Sequence, residues 1–254
     1  MKIYSWNMLY RNPKQDAAFA YLSGLDFDLL CLQEVPEEFL PRLRELPYQM
    51  VSTVDATLTR GSARVSMYHA ILSRNPIHHA QSFDMPKLSL PFRSVIGLRL
   101  KEGWTDIARR EGLYADVALS PGMLRVFSFH PAVLSPLART RDFETLALHL
   151  PDGFPAVVAG DFNIADHPAV KPFSWFFGAS LAECAPWHDE RSDAEQRFTA
   201  WGFANPLRGK VTLPITLSQL DHILVPKDAT VHSAEVVRHS YGSDHYPVFI
   251  EASW

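Results

Sequence analysis

Polar residues close one apolar run after another along this 254-residue chain. In order they are Trp6-Asn7, Gln33-Glu34, Phe129-His130, Gly160-Asp161-Phe162-Asn163, Leu220-Asp221-His222 and Ser243-Asp244-His245. If the apolar runs are strands that end together, His130, His245, Asn7, Asn163, Glu34, Asp161, Asp221 and Asp244 meet at one rim. Hard divalent cations favour oxygen ligands, and Mg²⁺ takes only one or two carboxylates beside waters and phosphate oxygens. A histidine used in proton transfer generally needs a carboxylate to orient it. Together these groups could run metal-assisted hydrolysis of a phosphoester, in which a positioned water attacks while metal and cations stabilise charge on phosphorus.

Two islands are the most specific. Ala156-Val157-Val158-Ala159 has the pattern of a fully buried strand, and Gly160 permits close backbone approach just before the charge. Residues 161 and 163 lie two apart, so an extended chain puts both side chains on one face and Phe162 on the other. An Asx-type turn after the strand is the alternative. Ser243-Asp244-His245 sets a carboxylate beside an imidazole where the chain enters a final strand. Asp221 is the best candidate to orient that imidazole, while His222, on the opposite side of its strand, is expected to pack or bind backbone. Glu34 emerges where the run from Leu29 turns charged, as the natural first metal ligand.

The elements that must position these groups are mostly strands. Runs rich in Val, Ile, Leu and Phe, bounded by Gly, Pro and Asp, predict strands at Lys2–Trp6, Leu29–Gln33, Gln49–Val54, Met67–Ser73, Ser94–Leu100, Leu124–Phe129, Ala156–Gly160, His222–Val225 and Pro247–Ala252. Asn12-Pro13 predicts a helix start, followed by a stripe of Ala17, Tyr21, Leu22 and Leu25 that stops near Gly24. Glu37–Leu46 and Leu137–Leu150 are the other clear helices. Strands outnumber helices without strict alternation, which predicts a two-sheet core with helices outside. Asp166–Gly209 is ambiguous; within it Phe173-Ser174-Trp175-Phe176-Phe177 is expected to pack as a core helix rather than stack bases or touch lipid.

A chain this long fits one large domain that buries roughly 73% of its extended-chain surface, so no staples are needed. Cys31 and Cys184 are the two cysteines, and Cys31 lies within an apolar run, so a reducing, cytoplasmic setting is expected. No leader is expected before Lys2, and no apolar run approaches the ~20 residues of a membrane span. Net charge is −4, from 24 basic and 28 acidic side chains, which argues mildly against non-specific grip on a long duplex. The scattered Arg11, Arg60, Arg64 and Arg93 are expected to be solvated, whereas Arg139 and Arg141 follow His130 closely enough to reach a phosphate. His69, His78, His79, His149, His167, His188, His232 and His239 fit no motif and are expected to be structural or solvated.

The ordered set resembles the endonuclease/exonuclease/phosphatase superfamily, which includes pancreatic deoxyribonuclease, abasic-site endonucleases, inositol polyphosphate phosphatases and sphingomyelinases. The resemblance runs through Trp6-Asn7, Leu32-Gln33-Glu34-Val35, Ala70-Ile71-Leu72-Ser73-Arg74, Phe129-His130, Gly160-Asp161-Phe162-Asn163, Leu220-Asp221-His222-Ile223-Leu224 and Ser243-Asp244-His245, nearly the whole chain. Arg197-Phe198-Thr199 also looks like the family's threonine-bearing segment. It implies a single domain, residues 1–254, built as a four-layer α/β/β/α sandwich of two mixed β-sheets face to face with helices outside. It further implies Mg²⁺ or Mn²⁺ held by Glu34 and Asn7 with Asp244 near or within the shell. Asp161 would orient or deprotonate the attacking water, Asn163 bind the scissile phosphate, His245 paired with Asp221 contact or protonate it, and His130 serve as a further phosphate or acid/base group. The expected substrate is a phosphoester, with nucleic acid first and small phosphoesters or lipid head groups as alternatives, acted on by a monomer. A non-catalytic binding domain of the same fold would lack such ligands, which are present here. Two departures stand out. The family often has Asn-Thr-His-Leu where this chain has Ser128-Phe129-His130-Pro131, and the acid that partners this histidine in deoxyribonuclease-like members has no obvious counterpart near Ser66–Tyr68.

Overall fold

The structure is a computed structural model that describes residues 1–60, 62–88, 92–96, 106–133, 135–165, 167, 171–175, 178–185 and 187–254. Its strands are β1 (Lys2–Asn7), β2 (Leu29–Pro36), β3 (Gln49–Arg60), β4 (Ala63–Ser73), β5 (Ile77–Asp84), β6 (Asp106–Ala118), β7 (Met123–Ser128), β8 (Ala156–Asp161), β9 (Phe203–Ala204), β10 (Asp221–Pro226), β11 (Thr230–Val236) and β12 (Val248–Ser253). The helices are α1 (Gln15–Ser23), α2 (Leu40–Leu43) after a 3₁₀ turn at Glu37–Phe39, α3 (Pro136–Ala147), α4 (Lys171–Ser174) and α5 (Glu190–Ala200). No helix among the described residues is long and apolar enough to cross a membrane.

This is a mixed α/β architecture whose strands form one large curled sheet. The hydrogen-bonded order is β11-β12-β1-β2-β4-β3-β6-β7-β8-β10-β9, with β5 beside β6. The ladder is continuous because β6 belongs to both ends of it. Residues 106–110 of β6 pair with β3, whereas residues 111–118 pair with β5 and β7. Three of the four apolar clusters among the described residues follow from this curl. A central one joins Ile3, Cys31, Ile71 and Ile250 from the first half to Ala115, Val126, Val157 and Ile223 from the second. A second, with Phe129, Phe143, Phe162, Phe198 and Leu224, seats α3 and α5 on the far face of β7, β8 and β10. A third, with Trp6, Leu22, Phe27, Leu32, Phe39 and Leu43, seats α1 and α2 on β1, β2 and β4.

Several predicted elements move for identifiable reasons. Asn12 does not cap a helix; its carboxamide donates to the carbonyls of Met8 and Tyr241 and accepts from Lys14 N, so α1 begins three residues later, at Gln15. The Leu137–Leu150 helix starts at Pro136, with Ser135 Oγ accepting from Ala138 N as the N-cap. Residues 94–96 are helical rather than the start of a strand, and 97–100 lie outside the described residues. Of the Phe173–Phe177 segment, residues 176–177 and the side chain of Phe173 lie outside them too.

Candidate active site

Asp161 ends β8 and Asp221 begins β10, and the antiparallel register sets the two carboxylates directly opposite each other. Like charges facing across strands repel. Here His245 stands between them: its Nδ1 is 2.8 Å from Asp221 Oδ2 and its Nε2 is 3.6 Å from Asp161 Oδ2. Burial alone would lower this imidazole's pKa, but Asp221 and Asp161, with Asp244, carry it up to about 10. The histidine is pinned at its own backbone. Its carbonyl accepts from Trp6 Nε1 at 3.2 Å, and its amide donates to Ser243 Oγ, which donates in turn to Asn7 O.

Gly160 explains how β8 delivers Asp161. A Cβ at this position would stand 1.9 Å from Phe129 O, so only glycine lets β7 and β8 close. The two expectations for Asp161-Phe162-Asn163 are both partly met. Phe162 packs inward against Phe129, Phe143 and Phe198. Asn163 adopts φ 55° and its amide donates to Asp161 Oδ1 at 2.9 Å, which is an Asx turn rather than extended chain. Asn163 Nδ2 donates to Pro131 O at 3.0 Å, tying this loop to the segment after His130.

A second histidine reaches Asp161 from the other side. His130 Nε2 lies 3.7 Å from Asp161 Oδ2, and its Nδ1 is 2.8 Å from Asp55 Oδ2. Burial opposes its charge, yet Asp55 above all, then Asp161 and Glu34, raise its pKa to about 9. For Asp55 burial pushes upward, and His130, His69 and the Glu34 amide overcome it and hold the carboxyl far below its ordinary value. Asp55 is therefore the acid missing near Ser66–Tyr68. It stands on β3 instead of β4, at a bulge between Val54 and Ala56 opposite β4.

Glu34 sits in a matching bulge of β2, between Leu32 and Val35, with φ 50°. Its amide donates to Asp55 Oδ2 at 3.1 Å, and its carboxylate accepts from Asn7 Nδ2 at 3.1 Å and Tyr10 N at 3.3 Å. Its pKa is pushed up, chiefly by burial, with Asp55 and Asp244 adding to the effect. A rim carboxylate whose charge is disfavoured by its surroundings gains by binding a cation, so Glu34 fits a hard metal ion. Asp244 is exposed beside it on the loop before β12. Asn7 is brought to the same place, but its Oδ1 accepts from Leu9 N, and its Nδ2 bridges Glu34 and Asp161 Oδ2 at 3.0 Å. In this orientation Asn7 links the two carboxylates rather than offering its oxygen. Among the described residues no three His, Cys, Asp or Glu side chains form a metal cluster.

Other expectations resolve by placement. His222 binds the Leu220 carbonyl through Nδ1 and stacks on Phe162. Arg139 is buried against Glu190 and the Ala132 carbonyl, so it does not reach a phosphate. Thr199 donates to Glu195 O on exposed helix α5, away from this network. The threonine at the site is Thr212, whose Oγ1 accepts from both Leu220 N and Asp221 N. Asp55, His69 and Thr212 carried no motif. The one signal was a lone carboxylate in Thr53-Val54-Asp55-Ala56, inside an otherwise uncharged run.

Comparison with known proteins agrees with this geometry. The sequence pattern of the Endonuclease/Exonuclease/phosphatase family matches residues 4–245. No curated protein matches by sequence. Among solved structures, an endonuclease/exonuclease/phosphatase from Beutenbergia cavernae superposes with TM-score 0.68 at 16% identity, covering 99% of this chain and 71% of that one. A 3′ phosphatase from Neisseria, solved with a product DNA hairpin, gives TM-score 0.66 at 19% identity with 100% of each chain covered. A mannosyl-6-phosphatase from Bacteroides thetaiotaomicron gives 0.57 at 16% identity, again over 100% of each chain. These likenesses establish the fold, and members of the family hydrolyse phosphoesters. With the profile spanning nearly every residue that builds the rim, the chain belongs to the Endonuclease/Exonuclease/phosphatase family.

Proposed function

We propose that residues 1–254 form a single four-layer domain that hydrolyses phosphoesters with Mg²⁺ or Mn²⁺. The observation that carries this reading is Asp161 Oδ2 lying between the Nε2 atoms of two histidines, each backed by its own carboxylate. Glu34 would hold the metal with Asp244, and Asn7 fixes Glu34 relative to Asp161. When bound, the ion supplies Lewis-acid polarisation of a phosphoryl oxygen and neutralises charge developing there. Asp161, an acceptor flanked by donors, orients the attacking water. His245 and His130 face the phosphate as imidazolium groups, stabilising its charge or protonating the leaving oxygen. Asn163 adds an amide donor.

Nucleic acid is the first substrate class, supported by the resemblance and by the DNA-bound Neisseria neighbour. The net charge of −4 favours a second reading, a small phosphoester, of which the mannosyl-6-phosphatase neighbour is an example. The test is a panel of single-stranded, duplex and abasic DNA, RNA, inositol phosphates and sphingomyelin with Mg²⁺ or Mn²⁺. Asp161→Asn should abolish turnover while circular dichroism stays unchanged. Full activity in that variant, or in excess chelator, rejects the proposal.

A further inference from the structure

His69 lies on β4, beneath the rim and fully buried. Its Nε2 is 3.1 Å from Glu111 O and 3.5 Å from Asp55 Oδ1. A carbonyl oxygen only accepts, so Nε2 carries the proton. Nδ1, 3.0 Å from Ser128 Oγ, is then the acceptor in the neutral ring that burial favours. Ser128 Oγ also accepts from Gln33 Nε2 at 3.0 Å. Ser128 has one proton and two acceptors within reach, His69 Nδ1 and Leu32 O at 3.1 Å, while the Nε2–H that His69 gives to Glu111 O also faces the edge of Asp55. On its other side Asp55 receives His130 Nδ1 at 2.8 Å and Glu34 N at 3.1 Å. A carboxylate met by donors on several sides is held in place better than by a single donor.

We propose that His69 is a positioning residue: its ring, held by Glu111 O and Ser128, stands 3.5 Å from Asp55 Oδ1 and through that carboxylate sets the ring plane of His130 against Asp161. Partners of this outer kind change activity by roughly 10–100-fold when removed, without touching the substrate.

The inference rests on His130 acting at the phosphate, so one arm of its test does not use turnover. In the resting protein, the His130 Nδ1–H held by Asp55 should give a slowly exchanging downfield proton signal, assigned by its loss in Asp55→Asn. His69→Phe keeps the ring's bulk without its nitrogens and should broaden that signal by exchange. His69→Gln, which restores an N–H donor, should recover it. On a turned-over aryl phosphodiester, His69→Phe should lower kcat by roughly 10–100-fold with KM nearly unchanged. The double variant His69→Phe/Asp55→Asn should be no slower than Asp55→Asn alone. If His69→Phe fails to fold, the His69→Gln and Asp55→Asn signals and rates carry the comparison. A sharp, unshifted signal in His69→Phe, or losses that multiply in the double variant, would overturn the proposal. An inactive wild-type protein that still shows the predicted signal changes counts against the hydrolase reading and leaves the positioning role standing.

Discussion

Replacing Gly160 with alanine tests how tightly the fold and the site are joined. The new Cβ would stand 1.9 Å from the Phe129 carbonyl oxygen, and ordinary contact begins near 3.4 Å, so β7 and β8 must part by about 1.5 Å. The obstacle is backbone, which cannot rotate away as a side chain could. Opening the pair strains the final rung, Phe129 N to Ala159 O at 2.9 Å, worth about 0.5–1.5 kcal/mol. It also holds alanine at φ 154°, at a cost of about 1–3 kcal/mol. The sum, about 1.5–4.5 kcal/mol, corresponds to a Tm lower by roughly 3–18 °C for a chain of this size. The same movement displaces His130 and Asp161, which flank the opened pair, and misplacement by about 1 Å costs on the order of 100-fold in rate. Differential scanning calorimetry and hydrolysis of an aryl phosphodiester measure both. Gly209→Ala is the control, because Gly209 has φ 78° but nothing near its missing Cβ. If Gly160→Ala matches Gly209→Ala in both Tm and rate, close strand approach is not what places Asp161.

Glu34→Gln should remove the Mg²⁺-induced rise in Tm, which for wild type at 100-fold excess over Kd is worth about 2.7 kcal/mol, or roughly 5–10 °C; an equal rise in both proteins would show that Glu34 does not hold the ion. For Asp55→Asn the pH dependence is read in chelator. His130 is raised from 6.5 to about 9, so its stabilisation is complete below pH 6.5 and lost as pH climbs through about 9. Asp55 is lowered, so its share is present above about pH 4 and lost as pH falls further. The stability gap between wild type and Asp55→Asn should thus be widest near pH 5–6.5, at about 3 kcal/mol, and close by pH 10, the Tm difference following it. A gap that widens with rising pH contradicts the pairing. Thr212→Val strands two buried N–H groups at about 1–3 kcal/mol each and should slow turnover, whereas Thr212→Ser should stay within about 1 kcal/mol of wild type by urea unfolding.

Residues at the ends of apolar runs were legible because a charge following Val-Val-Ala-Gly or Leu-Cys-Leu-Gln has few uses in a core. Their company at one rim follows from strand register, which the sequence pattern implies only through the family resemblance. Asp55 and His69 were not legible, because their role depends on paired bulges in β2 and β3, and a bulge leaves no mark of its own in alternation. Strands β5 and β11 escaped notice for another reason. They present exposed residues such as His78, His79, Val231 and His232, so no buried run announces them. Strand β6 carries Arg109, Arg110 and Glu111 at its midpoint, which looks like a loop until Arg110 is seen paired with buried Asp142. Helix α5 turns only Ala194 and Phe198 inward, too thin a stripe to stand out.

That midpoint of β6 has a mechanical meaning. The strand is a shared spine: the part before residue 110 belongs with β3 and the part after it with β5 and β7. Asn7, Glu34, Asp55 and His245 are carried by one wing of the molecule, and His130, Asp161 and Asp221 by the other. Bonds that cross between the wings, Asn7 to Asp161, His130 to Asp55 and His245 to Asp221, are the clasp at the open end. An occupant of the rim that contacts both wings would add to that clasp. Occupancy should therefore slow amide exchange along both wings together, reaching strands such as β4 and β7 that carry no rim residue named above except through the spine they share.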